Sequence, residues 1–346
     1  MSVFAADGRR GVALLLALWV LVLLSFVGLE TSVFSRADLG SARYLKERTQ
    51  TYYLARGGVE RGLGLLAEYN LRYPTNPNLA RRMGGETASG PQPPLLTWLE
   101  DRGIDRVPLG EGRYTLRFED LSGRVNVNRT DQQLLANLAQ LTGVERARAQ
   151  AVADAILDWI DADDLHRGRG AERRWYERRG LPPPRNAPAL TISELLLVNG
   201  VTDEILYGGG RYKGLARFLT TQGTGKINAN TAPPEVLSAI PGMDRSTVTR
   251  IVRERERRHL RSLNEVLGDG AEERLAASPV LGVLSFETSD LAVEGLGELA
   301  GSSTRTRIRA TVGLLASGVI LRTWQDDGLA GLPLAPDTPL TLPGGA

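Results

Sequence analysis

Four aspartates fall within seven residues in Asp158-Trp159-Ile160-Asp161-Ala162-Asp163-Asp164, and Glu172 follows eight residues later. So much like charge in one place is unfavourable unless a cation or nearby arginines neutralise it. The spacing is not that of an EF-hand, because Asp161-Ala162-Asp163-Asp164-Leu165-His166 has no glycine at its sixth position. A carboxylate donor set favours a hard, oxygen-seeking cation such as calcium, which makes Asp158, Asp161, Asp163, Asp164 and Glu172 the candidate metal ligands. The alternative is a structural network in which Arg167, Arg169, Arg173 and Arg174 supply the positive charge.

Other chemistry is sparse. The chain has no cysteine, which excludes thiol catalysis, cysteine-ligated zinc and a disulfide framework. Its two histidines, His166 and His259, lie in arginine-rich polar surroundings, and no serine, acid and histidine arrangement suggests a hydrolase. No catalytic or cofactor-binding residue is assigned, and the chain is not expected to be an enzyme. A second candidate is basic. Val236 to Met243, a helix from Ser246 to about Arg258, and Ser262 to Leu267 together resemble a helix-hairpin-helix, a module that often binds DNA phosphates through hairpin amides. Arg250, Arg253, Arg255, Arg257, Arg258 and Arg261 favour that reading. Against it, Asp244 stands where a second glycine is common, and Glu254 and Glu256 interleave with the arginines as on a solvated helix. With a net charge of only +2, nucleic acid is not expected as a partner, and a membrane-anchored DNA-binding or uptake protein is kept as the rival function.

The elements that must carry these groups begin with an apolar stretch. From Val12 to Leu29 there is no charged residue, enough for roughly 27 Å of helix, the thickness of a bilayer core. Arg9 and Arg10 precede it and Glu30 follows, so the N-terminus is expected in the cytoplasm and the bulk of the chain on the far side of the membrane. Apolar residues at helical intervals, from Val33 and Ala37 through Tyr52, Ala55, Val59, Leu63 and Leu66, predict that the helix runs on to about Asn70. Arg72 to Pro94 reads as a proline- and glycine-rich loop, and Leu95 to Arg102 as a short helix. Gly112 to Asp120 alternates as a strand, with Arg124 to Asn128 as its expected hairpin partner after a turn at Leu121-Ser122-Gly123. Helices are expected over about 131–141 and 145–159, and Thr191-Ile192-Ser193-Glu194 reads as a capping site for another. Gly225-Lys226-Ile227-Asn228-Ala229-Asn230 then echoes Gly123-Arg124-Val125-Asn126-Val127-Asn128, the mark of a duplicated unit. Strands are expected at Val280–Phe286, Leu291–Glu294, Arg305–Leu315 and Gly318–Trp324, and a disordered tail after them.

A short basic leader ending in Gly11, followed by an apolar helix that continues into an amphipathic one, resembles the N-terminus of type IV pilins and of type II secretion pseudopilins. The resemblance implies that a prepilin peptidase cuts between Gly11 and Val12 and methylates the new amine. Most of that family have a glutamate five residues into the mature chain, where this sequence has Leu16. That glutamate is thought to neutralise the amine of the subunit ahead, so a subunit with none ahead does better without it. The missing glutamate, the paired Asn-x-Asn segments and the acidic run are together similar to the pseudopilin K family, over about residues 11–326.

That resemblance implies an α+β, pilin-like fold: a long N-terminal helix packed on a small antiparallel sheet, with a large inserted α-helical domain and a helix-hairpin-helix-like segment. The expected divisions are a leader at 1–11, a transmembrane part at 12–33, the pilin-like helix and first strands at 34–128, the inserted domain at 129–224, the second Asn-x-Asn segment and last strands at 225–326, and the tail at 327–346. It further implies calcium binding, single-pass anchoring in the inner membrane with a periplasmic bulk, and partnership with the other minor pseudopilins of the I and J types. Function would be at the pseudopilus tip, initiating or capping filament assembly for protein export. A plain signal anchor, uncut, is the alternative for the N-terminal segment.

Overall fold

The computed structural model describes residues 7–73, 93–315 and 318–326, with side chains described from Leu15 on except at 28 and 30–38. The predicted loop lies mostly outside these residues, and the predicted tail wholly so. A single helix, α1 (Asp7–Arg72), runs through the predicted span without a break. Gly11 and Val12 are helical within it, and every side chain from Leu15 to Val27 is exposed, Leu16 at 62 %. Among the described residues no helix holds an apolar window long enough to cross a membrane.

The C-terminal half of α1 lies across a five-stranded antiparallel sheet in the order β1 (Val107–Leu109), β2 (Gly112–Asp120), β7 (Asp290–Leu299), β8 (Arg305–Leu315), β9 (Gly318–Asp326). Alternation decides the faces. Tyr114, Leu116 and Phe118 of β2, Leu291 and Val293 of β7, and Ile308, Ala310 and Val312 of β8 form one core with Ala55, Val59 and Leu66 of α1. The short helix α2 (Leu95–Glu100) adds Leu95, Trp98 and Leu99 to it. Helix and sheet approach so closely that glycine is needed on both sides. A Cβ on Gly297 would stand 2.0 Å from the carbonyl oxygen of Thr51, one on Gly295 2.3 Å from that of Ala55, and one on Gly62 2.7 Å from Val293.

The segment Arg124–Asn128 does not pair with β2, contrary to the sequence expectation. Asp120 accepts the Ser122 N–H at 2.8 Å and turns the chain through a 3-10 turn at Leu121–Gly123, out of the sheet. Strand β3 (Val125–Asn126) then pairs in parallel with β4 (Leu219–Thr220), leaving β1 and the distant β7 as the neighbours of β2. Hairpin signals are local, whereas both partners chosen here are set by tertiary packing.

The helical domain is a doubled unit. Strand β5 (Ile227–Asn228) pairs in parallel with β6 (Leu284–Ser285), as β3 does with β4. Asn128 donates to the carbonyls of Ala189 and Thr221 and accepts from the Ala189 N–H. Asn230 donates to the carbonyls of Leu260 and Phe286 and accepts from the Leu260 N–H. The sequence echo is thus a repeated side-chain clamp. After it come α3 (Gln132–Leu141) and α4 (Arg146–Ile160) in the first copy, followed by the short helices α5 (Arg173–Glu177) and α6 (Asp203–Tyr207). The second copy has α7 (Pro234–Ala239) and α8 (Arg245–Arg255) in the places of α3 and α4, with three single-turn helices after them. One apolar core spans both copies, from Val125 to Leu284, across the division at residue 224.

Two local expectations are corrected. Ile192–Leu197 is a 3-10 helix with no side-chain cap from Thr191; Glu194 instead accepts the Trp159 Nε1–H and the Leu190 N–H, both at 3.0 Å. Within Val280–Phe286 only Leu284–Ser285 is strand, because Pro279 starts a helical turn capped by Ser278. The close helix–sheet seam predicts that Gly297→Val overpacks it at a cost of about 1–3 kcal/mol. Urea denaturation of the full chain should show a lower midpoint, and an unchanged midpoint would contradict the seam.

Candidate functional site

The acidic run begins on the last turn of α4 and continues into the loop that follows. Glu145 caps the start of α4, and Asp154 and Asp158, one turn apart, face the same side. Both carboxylates are buried, Asp158 completely. They lace the returning loop to the helix: Asp154 accepts the Arg169 N–H at 3.1 Å, and both Asp158 oxygens lie 3.2 Å from the Arg167 N–H. Gly170 completes the fit, since a Cβ there would fall 1.8 Å from an Asp158 oxygen. Sequence reasoning missed Asp154, although its position four residues before Asp158 on a helix was the available signal.

Of the five predicted ligands the fold brings three together. Asp158, Asp161 and Glu172 each offer one oxygen, all within 4.8 Å of one another. The other two face elsewhere: Asp163 accepts the Leu165 N–H, and Asp164 accepts from Asn186 and stands 3.6 Å from Arg173. Arg167 bridges Asp158, at 2.8 Å, and Asp161. The anticipated arginine network is therefore partly present, but it stops short of Glu172. Both Glu172 oxygens, and Oδ1 of Asp161, are buried without a hydrogen-bond partner. Three carboxylates against one guanidinium leave excess negative charge in a desolvated place, which is what an oxygen-seeking divalent cation would neutralise.

Burial, then the charges of Asp158 and Asp161, push the Glu172 carboxyl up to about 7. Burial likewise raises Asp158, against the opposing effect of Arg167. A raised acid binds its proton more tightly in the folded state, so stability is lost as pH rises from about 4.5, the unfolded value, to about 7. In chelator, Glu172→Gln should remove this loss and stabilise the chain at pH 8 by roughly 1–3 kcal/mol, with little effect at pH 4.5. Urea midpoints at the two pH values check this, and equal effects at both would contradict the assignment.

The basic candidate is arranged differently from a phosphate site. Asp244 caps α8, accepting the Thr247 N–H at 2.9 Å and two hydroxyl groups, which hold its carboxyl well below the usual range. In the first copy Glu145, likewise two residues after a left-handed glycine, accepts the amides of Ala147 and Arg148. Each hairpin thus fills its own amides with a carboxylate. Arg255 is turned inward onto the carbonyls of Ala229 and Ala232, and Arg257 and Arg258 face Glu254 and Glu265. Of the six arginines weighed for a DNA track, Arg253, Arg255, Arg257 and Arg258 are engaged within the fold.

Two family models match the chain, over residues 116–208 and 227–286, and both are described as type II secretion system protein K. The type II secretion system protein K of Pseudomonas aeruginosa is 26 % identical over 345 residues, covering 94 % of this chain and 95 % of its own. That of Pectobacterium carotovorum is 28 % identical over 216 residues, 57 % of this chain and 60 % of its own. The crystal structure of the GspK–GspI–GspJ complex of enterotoxigenic Escherichia coli contains a chain with the same fold, at a TM-score of 0.54 and 18 % identity, covering 84 % of this chain and 98 % of that one. The first model spans the sheet turn, the acid-bearing helix and its loop, and the second spans the repeated clamp and its helices. By both family models and both curated relatives, the chain is similar to protein K of the type II secretion system, a minor pseudopilin of that system.

Proposed function

We propose that this minor pseudopilin works at the tip of the pseudopilus, initiating or capping the filament, and does so without catalysis. The observation that carries the reading is the place of the helical domain. It is attached where β2 ends and β7 begins, beside Asp120 and Asp290, next to the C-terminal half of α1 and remote from the apolar N-terminal half. A filament of side-by-side α1 helices has room for such a mass only at its end. Leu16, apolar and exposed, agrees with a subunit that has no terminal amine ahead of it to neutralise. On this reading the uncharged stretch Val12–Leu29, part of which lies outside the described side chains, holds the chain in the inner membrane by one pass, with Gly11–Val12 cut by prepilin peptidase and the bulk in the periplasm. Its partners are the I- and J-type minor pseudopilins, in keeping with the complex in which its structural neighbour was found.

We also propose that the Asp158–Asp161–Glu172 cluster holds calcium, supported by its buried, unpartnered oxygens. The ion would supply charge neutralisation and cross-link the loop to α4. An extracytoplasmic site sees high calcium, so a dissociation constant of about 0.1–1 mM suffices.

Calcium should raise the melting temperature of the full chain by mass action, and Asp161→Ala with Glu172→Ala should abolish the rise. A melting curve indifferent to calcium would remove the ion from the account. For the tip, quantitative mass spectrometry of sheared filaments should find this chain in far fewer copies than the major pseudopilin. Near-equal stoichiometry would sink the tip reading.

A further inference from the structure

Beside the acidic cluster lies a second feature of opposite sign. The stretch from Arg167 to Arg179 carries six arginines against two glutamates. Four of the six have work within the fold: Arg167 holds Asp158 and Asp161, Arg169 donates to Ala147 and Gln150, Arg173 faces Asp164, and Arg179 lies over the Trp175 ring. Arg174 and Arg178 do not. Both are exposed, and among the described residues neither guanidinium makes an ion pair or a hydrogen bond. They stand four apart across α5 and its C-cap, where like charges repel, and they line one cavity of about 530 Å³ with His166, Trp175 and Glu172. Two solvated guanidinium forks one helical turn apart beside an aromatic wall are suited to carboxylates, which they engage in planar, bidentate fashion.

We infer that this cavity docks an acidic side chain, or a short acidic segment, of a partner protein. A lipid surface is disfavoured by geometry, because the sheet that carries the helical domain meets α1 from Thr51 to Gly62, roughly 33–50 Å of helix beyond Leu29. Glu172 and Asp164 line the same cavity; Asp164 is met by Arg173 at 3.6 Å, whereas the charge of Glu172 opposes an incoming acid until the neighbouring cluster is neutralised. The inference therefore rests on the calcium reading in one respect: docking is stronger with calcium bound than in chelator.

The test uses the full chain in a non-ionic detergent and a dye-labelled hexaglutamate peptide, read by fluorescence anisotropy in saturating calcium and in chelator. Binding is expected in calcium, weakened at least about ten-fold in Arg174→Ser/Arg178→Ser and unchanged in the control Arg113→Ser/Arg117→Ser, whose arginines lie on the sheet. Melting curves of the variants show that they are folded. No binding by the wild type in calcium, or equal binding by the cavity variant, overturns the inference. Equally effective displacement by inorganic phosphate, or preferential binding to phosphatidylglycerol vesicles, overturns it in favour of a phosphate ligand. Because calcium is read separately from the melting temperature, a calcium shift without peptide binding sinks docking alone. Peptide binding of equal strength in chelator sinks the stated coupling to the ion.

Discussion

The carboxylate of Asp120 holds the helical domain to the end of the sheet. It sits on the last residue of β2, almost wholly buried, and receives four hydrogen bonds: from the Ser122 N–H at 2.8 Å, Asn228 Nδ2 at 2.8 Å, Thr231 Oγ1 at 2.7 Å and Thr288 Oγ1 at 2.8 Å. The first turns the chain out of the sheet. The next two reach the start of the second repeat, and the last reaches the segment that leads back into β7. Burial pushes the acid's pKa up while the four donors pull it down, and burial has the larger effect. Such a group is tolerated only with its donors in place, since each one left unpaired costs about 1–3 kcal/mol. Close by, the Ser122 hydroxyl accepts from the backbone of Ser289 and Asp290, so both crossings between the two parts are fixed at one spot.

From that junction the rest follows in order. The sheet presses on α1 through glycine contacts that leave no freedom of register, so the domain's position relative to the long helix is set. The paired Asn clamps then tie each strand pair to a loop outside it, Ala189 in one copy and Leu260 in the other. In the first copy the clamped loop also carries Asn186, whose backbone donates to Trp159 and whose side chain holds Asp163 and Asp164. The acidic cluster is therefore built on a helix and braced by a loop, and its unsatisfied oxygens are a property of the fold rather than of mobile surface groups.

Much of this was legible from pattern alone. The boundaries of β2, the helices beginning near 131 and 145 and the strands β8 and β9 all follow from alternation and helical periodicity, which are local. What was not legible depended on partners far along the chain. Arg124–Asn128 reads as a hairpin strand because nothing within ten residues announces Leu219. The five-carboxylate ligand set came from sequence proximity, and the fold kept the three whose side chains converge: Asp158 from a helix, Asp161 from its cap and Glu172 from across a loop. Asp163 and Asp164 lie nearer in sequence than Glu172 but point away. The DNA reading failed on a detail visible in the residues, the acid at each hairpin, whose capping role needed the structure to establish.

If Asp120 couples the two cores, then breaking it should uncouple them before it unfolds either. Native-state hydrogen exchange of the full chain, followed by mass spectrometry over a denaturant series, compares the sheet core at Leu116 and Ile308 with the helical core at Ile156 and Ile251. In the wild type the two should open with one free energy. In Asp120→Ala the helical core should open at a distinctly lower free energy than the sheet core. Two cores that still open together in the variant would contradict the account.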